Sequence, residues 1–128
     1  MGPDAVIAAR VFLAAGALAL ALAVAMGAVS AHAAKNAAHP EAARLLQTAL
    51  LYQLVHGLGI VLVAVLMQSA ASRWLTAAGL LHMAGIACFC GSLYVLAYTG
   101  RSLGPVAPLG GLAFIGGWLA LAVAAFRE

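Results

Sequence analysis

Charge is what this sequence has least of. Its 128 residues include six basic and three acidic side chains, whereas in a soluble domain about a quarter of residues are charged. A surface that poor in charge excludes a water-soluble globular fold. The six basic residues stand singly, so no basic patch exists to follow a phosphate backbone, which excludes a nucleic-acid binder. Of the acids, Asp4 and Glu128 are near the termini and Glu41 lies between apolar stretches. No carboxylate pair is therefore available inside those stretches, and neither a Gly-rich phosphate loop nor catalytic-triad spacing occurs. The two cysteines, Cys88 and Cys90, point roughly 200° apart on a helix. They cannot pair with one another, and they read as small apolar residues rather than as a redox or metal site.

What is present is apolar and long. Residues 11–34, 45–72, 74–100 and 102–126 are free of Asp, Glu, Lys and Arg, and each exceeds the ~20 residues a helix needs to cross ~30 Å of hydrocarbon. The sequence predicts a single domain, residues 1–128, of the all-α integral membrane class: an antiparallel bundle of four transmembrane helices, at about 5–30, 42–67, 74–98 and 106–126, joined by short loops. The first stretch also resembles a signal peptide, with Ala31-His32-Ala33 as a small-residue cleavage pattern. Its apolar run, Val11 to Val29, is longer than the usual h-region of about 7–15 residues, and it is read as a span. An even number of crossings sets Arg10, Arg73 and Arg127 on one face and Lys35, Arg44 and Arg101 on the other. The tie leaves the orientation unassigned by positive charge.

The breaks between spans have their own chemistry. Pro40 followed by Glu41 suits a helix start, with proline in the first turn and an acid at the positive end of the dipole. Trp74 follows the polar turn 68–73 where an indole prefers the interface. Gly104, Pro105 and Pro108 predict a kinked or non-helical entry into the fourth span. Small residues recur at helical spacing in the first and fourth spans, and Gly16, Gly27, Gly110 and Gly117 are read as helix-packing positions.

In an antiparallel hairpin, residues equidistant from the turn lie at the same depth, because each helix rises ~1.5 Å per residue. His56 and His82 are symmetric about position 69, and His82 and Trp118 about Gly100. A mid-membrane trio follows, with the indole N–H able to donate to an imidazole. Thr48, Tyr52, His56 and Gly59 form one stripe, and His82, Gly85, Phe89 and Ser92 another. Facing each other, they predict an interior that is polar from mid-membrane to the Lys35 and Arg101 surface. Polar side chains in a span turn inward and mark sites by default, yet interhelical hydrogen bonding alone would also account for Thr48, Gln53, Ser92 and Tyr94. His39 reads as a loop residue. A metal site would need His32, His56 or His82 from separate helices, and none is predicted.

The runs Gly27-Ala28-Val29-Ser30-Ala31-His32, Thr48 through His56, Phe89-Cys90-Gly91-Ser92-Leu93-Tyr94, Pro108-Leu109-Gly110-Gly111 and Gly117-Trp118 carry a resemblance. In order and over essentially the whole chain, they resemble the domain-of-unknown-function 423 family, the YgdD-like group, similar also to transmembrane protein 256. The resemblance implies a four-span protein of an inner or organelle membrane, here the bacterial inner membrane, with no established activity, so it supplies no reaction and no cofactor. His32, Thr48, Tyr52, Gln53, His56, Ser92 and Tyr94 match the family's motif positions, whereas His82, Cys88 and Cys90 do not. The tentative ligand-binding set is therefore His32, Tyr52, Gln53, His56, Ser92 and Tyr94, with no catalytic residues. Three functional readings are open. The first is a non-enzymatic structural or accessory subunit in the lipid bilayer, packing as a homo-oligomer or within a larger membrane complex. The second is a binding or permeation protein holding a small polar ligand, ion or lipid, and the third a histidine-based metal or cofactor binder.

Overall fold

The computed structural model describes residues 2–36 and 40–127, with the side chains of 33–36 and 40 left aside; His39 lies outside the described residues. The chain is an all-α membrane protein. Helix α1 spans Pro3–Asn36 and α2 Pro40–Met67. The third crossing, Arg73–Thr99, is built from α3 (Arg73–Gly85), a π-helical turn (Ile86–Cys90) and α4 (Gly91–Thr99). Helix α5 covers Val106–Ala124. Four helices are thus long and apolar enough to cross a membrane.

Local chemistry sets the ends. Ser72 caps α3, its hydroxyl accepting from the Trp74 N–H at 3.1 Å, which satisfies one of the donors a helix start leaves orphaned. The third crossing stops at Gly100, whose φ of 73° is the left-handed conformation glycine adopts without a Cβ penalty. Gly104 takes a second left-handed turn, at φ 64°, and Pro105 then caps α5. The expected non-helical entry lies at residues 101–105, and Pro108 does not kink the helix that follows. It falls in the first turn of α5, where its missing N–H has no intrahelical partner to lose.

Helix α1 packs along α2, while α5 packs along α3 and the π-helical turn. On α1 the buried residues are Ala9, Phe12, Gly16, Ala23 and Ser30, and the outer face exposes Ile7, Leu18 and Val24 to lipid. A methyl group on Gly16 would come within 2.8 Å of the Val61 side chain and 3.1 Å of the Gly57 carbonyl, so α1 and α2 meet backbone to backbone there. At Gly27 the same addition meets nothing within 4 Å. Toward the Arg10 and Arg73 end the interior is aliphatic side chains around a single ring: Phe12, Ile60, Val63, Met67 and Leu75 belong to the main cluster, with the Phe12 ring lying 2.8 Å from where a Gly79 methyl would stand. Toward the other end the smaller buried cluster is Ala49, Cys90 and Phe114, flanked by Phe89 and Tyr94.

Candidate functional site

The two stripes do face each other, but what lies between them is aromatic rather than polar. Phe114 of α5 enters the space beside Gly85, whose added methyl would collide with the ring. Its ring stacks on His56 with centroids 3.6 Å apart and planes 15° off parallel. Tyr52, one turn away on α2, is stacked toward both His56 and Phe114 at 5.7 and 6.0 Å. Phe89 tilts onto Tyr52 at 4.6 Å. The expected polar interior is corrected on this point: side chains of α5 fill the middle of the bundle, and the most space-efficient filling there is stacked rings.

Phe89 owes its position to the π-helical turn. That turn, one residue wider than an α turn, is an unusual element that often accompanies functional sites. It brings the Phe89 backbone so close to α5 that a methyl on Gly110 would strike the Phe89 backbone nitrogen. Ser92, just after the turn, donates its hydroxyl to the Cys88 carbonyl on its own helix. Cys90 donates to the Ala49 carbonyl at 3.3 Å, tying the turn to α2.

His56, His82 and Trp118 meet at one level. The two imidazoles are edge to face with centroids 5.4 Å apart, and the indole lies 4.6 Å from His82 and 5.8 Å from His56. His56 Nδ1 is 2.7 Å from the Tyr52 carbonyl oxygen. A carbonyl only accepts, so Nδ1 carries the proton and a singly protonated ring leaves a lone pair on Nε2. His82 is fully buried, and neither of its ring nitrogens has a hydrogen-bond partner among the described residues. The indole N–H therefore makes no bond to His82, which corrects that part of the sequence expectation. Glycines make the room: an added methyl at Gly59 would lie 3.0 Å from His82 Nε2, and one at Gly117 would run into Nδ1.

The remaining expected residues separate from this group. Gln53 is buried on the other side of α2, where its amide donates to the Ala19 carbonyl of α1 at 2.8 Å and its carbonyl oxygen accepts the Tyr94 hydroxyl at 2.7 Å. This pair locks α1, α2 and α4 beside a groove of about 340 Å³ that includes Leu22, Met26 and Ile86. His32 is exposed near the end of α1 and lines neither groove. Among the described residues, no three His, Cys, Asp or Glu side chains gather as a metal-ligand set.

The rings instead wall a second groove, of about 530 Å³, between α2, the π-helical turn and α5. Tyr52, His56, Phe89, Phe114 and Trp118 line it, and Leu112 and Ile115 stand at its rim. The rim residues are 63% and 58% exposed and Tyr52 and Trp118 are 38% and 37% exposed, so the groove opens sideways into hydrocarbon. Phe89 and Phe114 were absent from the sequence-derived set. Depth counting carries the signal, since Phe89 is level with Gly111 and Phe114 with Ile86 across Gly100, but an apolar ring in a span is equally at home facing lipid, so depth alone does not mark it as part of a site.

Residues 26–111 match the family model described as a protein of unknown function, DUF423. The chain belongs to the DUF423 family. A UPF0382 membrane protein of Staphylococcus haemolyticus is 37% identical over 119 residues, covering 92% of this chain and 97% of the relative. YwdK of Bacillus subtilis, also named a UPF0382 membrane protein, is 39% identical over 120 residues, covering 92% and 98%. The UPF0382 inner membrane protein YgdD of Escherichia coli K12 is 37% identical over 105 residues, covering 81% of this chain and 80% of its own. No solved structure matches the chain. With four membrane-crossing helices and these relatives, this DUF423 member is a multi-pass protein of the inner membrane. The relatives' names state no enzymatic activity.

Proposed function

We propose that this protein binds an uncharged, bilayer-soluble small molecule in the groove between α2, the π-helical turn and α5. One observation carries the reading: polar groups without hydrogen-bond partners cluster at a groove that opens into hydrocarbon. The Tyr52 hydroxyl, the Trp118 indole N–H and His56 Nε2 have no partner among the described residues, and His82 lies directly behind them with both nitrogens unpaired. In lipid no water is present to satisfy such groups, and each unmet one costs roughly 1–3 kcal/mol. The contrast with Gln53 and Tyr94 supports the reading, since those polar groups are paired with each other and serve to hold helices. No Asp, Glu, Lys or Arg lines the groove, so a charged head group would enter with nothing to neutralise it. The volume, about 530 Å³, falls within the ~300–1,000 Å³ of small-molecule sites.

The test is to isolate the protein directly from membranes into lipid nanodiscs and analyse the organic extract by mass spectrometry. Leu112→Trp fills the groove from its lipid side without entering the core. A compound enriched with the native protein and depleted with Leu112→Trp is the expected result; identical extracts would refute the reading.

An accessory role, packing with a second copy or a larger complex, drew on the small-residue rows. Gly16, Gly110 and Gly117 are engaged within the chain, against Val61, Phe89 and His82. What supports this second reading is the outer face of α1, where Leu18, Leu22, Val24 and Val29 are each more than half exposed. A mass of one chain per nanodisc, with no other protein present, would remove it.

A further inference from the structure

The chemistry of the groove narrows the class of molecule, given the binding role proposed above. Two side chains that carry a donor, Tyr52 and Trp118, line the groove, and rings surround them: Phe114 is stacked on His56 with Tyr52 turned in the same sense, and Phe89 stands edge-on to Phe114. Such walls select a planar conjugated head over a thick saturated ring body or a bare chain, because offset stacking adds attraction beyond simple apolar contact. Two donors select a head with two acceptors. The absence of Lys and Arg from the lining rules against phosphate and carboxylate heads. The exposed rim of Leu112 and Ile115 gives an apolar tail a way out into the bilayer.

We infer that the ligand is a lipid-soluble quinone, a neutral planar ring with two carbonyl acceptors and an apolar tail. The ring lies among Tyr52, Phe89, Phe114 and Trp118, its carbonyls accept from Tyr52 and Trp118, and its tail passes over Leu112 and Ile115. The π-helical turn serves the site by holding Phe89 against Gly110, which sets the far wall of the slot.

The chain contains two tryptophans, so Trp74→Phe leaves Trp118 as the sole indole, at the site itself, and selective excitation of indole reads it apart from the tyrosines. In nanodiscs of plain phosphatidylcholine, a decyl-substituted benzoquinone should quench Trp118 saturably, because quinones accept energy and electrons from an indole in contact. Decylbenzene, with the same tail and no carbonyls, should displace it poorly. Tyr52→Phe keeps the ring and removes one donor, and should raise the half-saturating quinone content about fivefold, the effect of one ordinary hydrogen bond. Equal displacement by decylbenzene, or no change in Tyr52→Phe, overturns the quinone assignment and leaves the groove reading standing. Quenching that rises linearly without saturation also overturns the assignment. If the Leu112→Trp extract is unchanged as well, the binding role falls with it.

Discussion

Replacing Gly110 with alanine adds one methyl group to α5, and the structure states what that methyl meets. It would press on the Phe89 backbone nitrogen, with the Phe89 Cβ at 2.8 Å. A flexible side chain can swing away from such a contact, but a backbone nitrogen moves only if the π-helical turn or the whole of α5 moves. The next residue supplies the control, because a methyl on Gly111 finds only the Phe89 ring edge at 3.9 Å, ordinary van der Waals contact. Both substitutions gain the same intrinsic helix preference, up to about 1 kcal/mol, so that contribution cancels between them. What remains is overpacking, typically about 1–3 kcal/mol. Gly111→Ala should therefore be neutral or slightly stabilising, and Gly110→Ala should be less stable than it by about 2–3 kcal/mol. Reversible denaturation in mixed micelles, followed by circular dichroism, measures the difference. If the two variants agree within about 0.5 kcal/mol, the close approach of α5 to the π-helical turn is wrong, and with it the placement of Phe89 in the groove wall.

Three further outcomes are expected. Tyr94→Phe leaves the Gln53 carbonyl oxygen buried without its donor and should destabilise by about 1 kcal/mol, within the range for intramembrane hydrogen bonds. Gln53→Leu removes both polar partners to Ala19 and Tyr94 and should free α1 to separate from α2, read as faster proteolysis of α1 in detergent; unchanged cleavage would argue against the lock. Cys90 is buried with its thiol on the Ala49 carbonyl, and it should resist a membrane-permeant maleimide in the folded protein while half-buried Cys88 reacts first. Equal rates before denaturation would contradict the π-helical geometry.

The candidate site was legible in part. Depth symmetry brought His56, His82 and Trp118 to one level, and the structure joins them. Family resemblance steered attention toward Gln53, Ser92, Tyr94 and His32 as one cluster with His56. In the structure Gln53 and Tyr94 form a pair on another side of α2, Ser92 bonds within its own crossing, and His32 is exposed near the end of α1. Depth along a helix axis follows from residue counting, but rotation about that axis does not. Gln53 and His56 are neighbours in depth and still serve different grooves.

The sequence by itself determined the number of crossings, because a charge inside hydrocarbon is so unfavourable that its absence over more than ~20 residues leaves one outcome. It also determined the stops at Gly100 and Gly104, where backbone sterics alone select glycine. Only the tertiary structure decided which side of each helix faces a neighbour. In a soluble protein the polar face would reveal this, but in a bilayer the lipid-facing and the buried faces are equally apolar. Phe114, which stacks on His56 at the centre of the site, and Ile115, which faces lipid, are adjacent apolar residues. Packing distinguishes them, and composition does not.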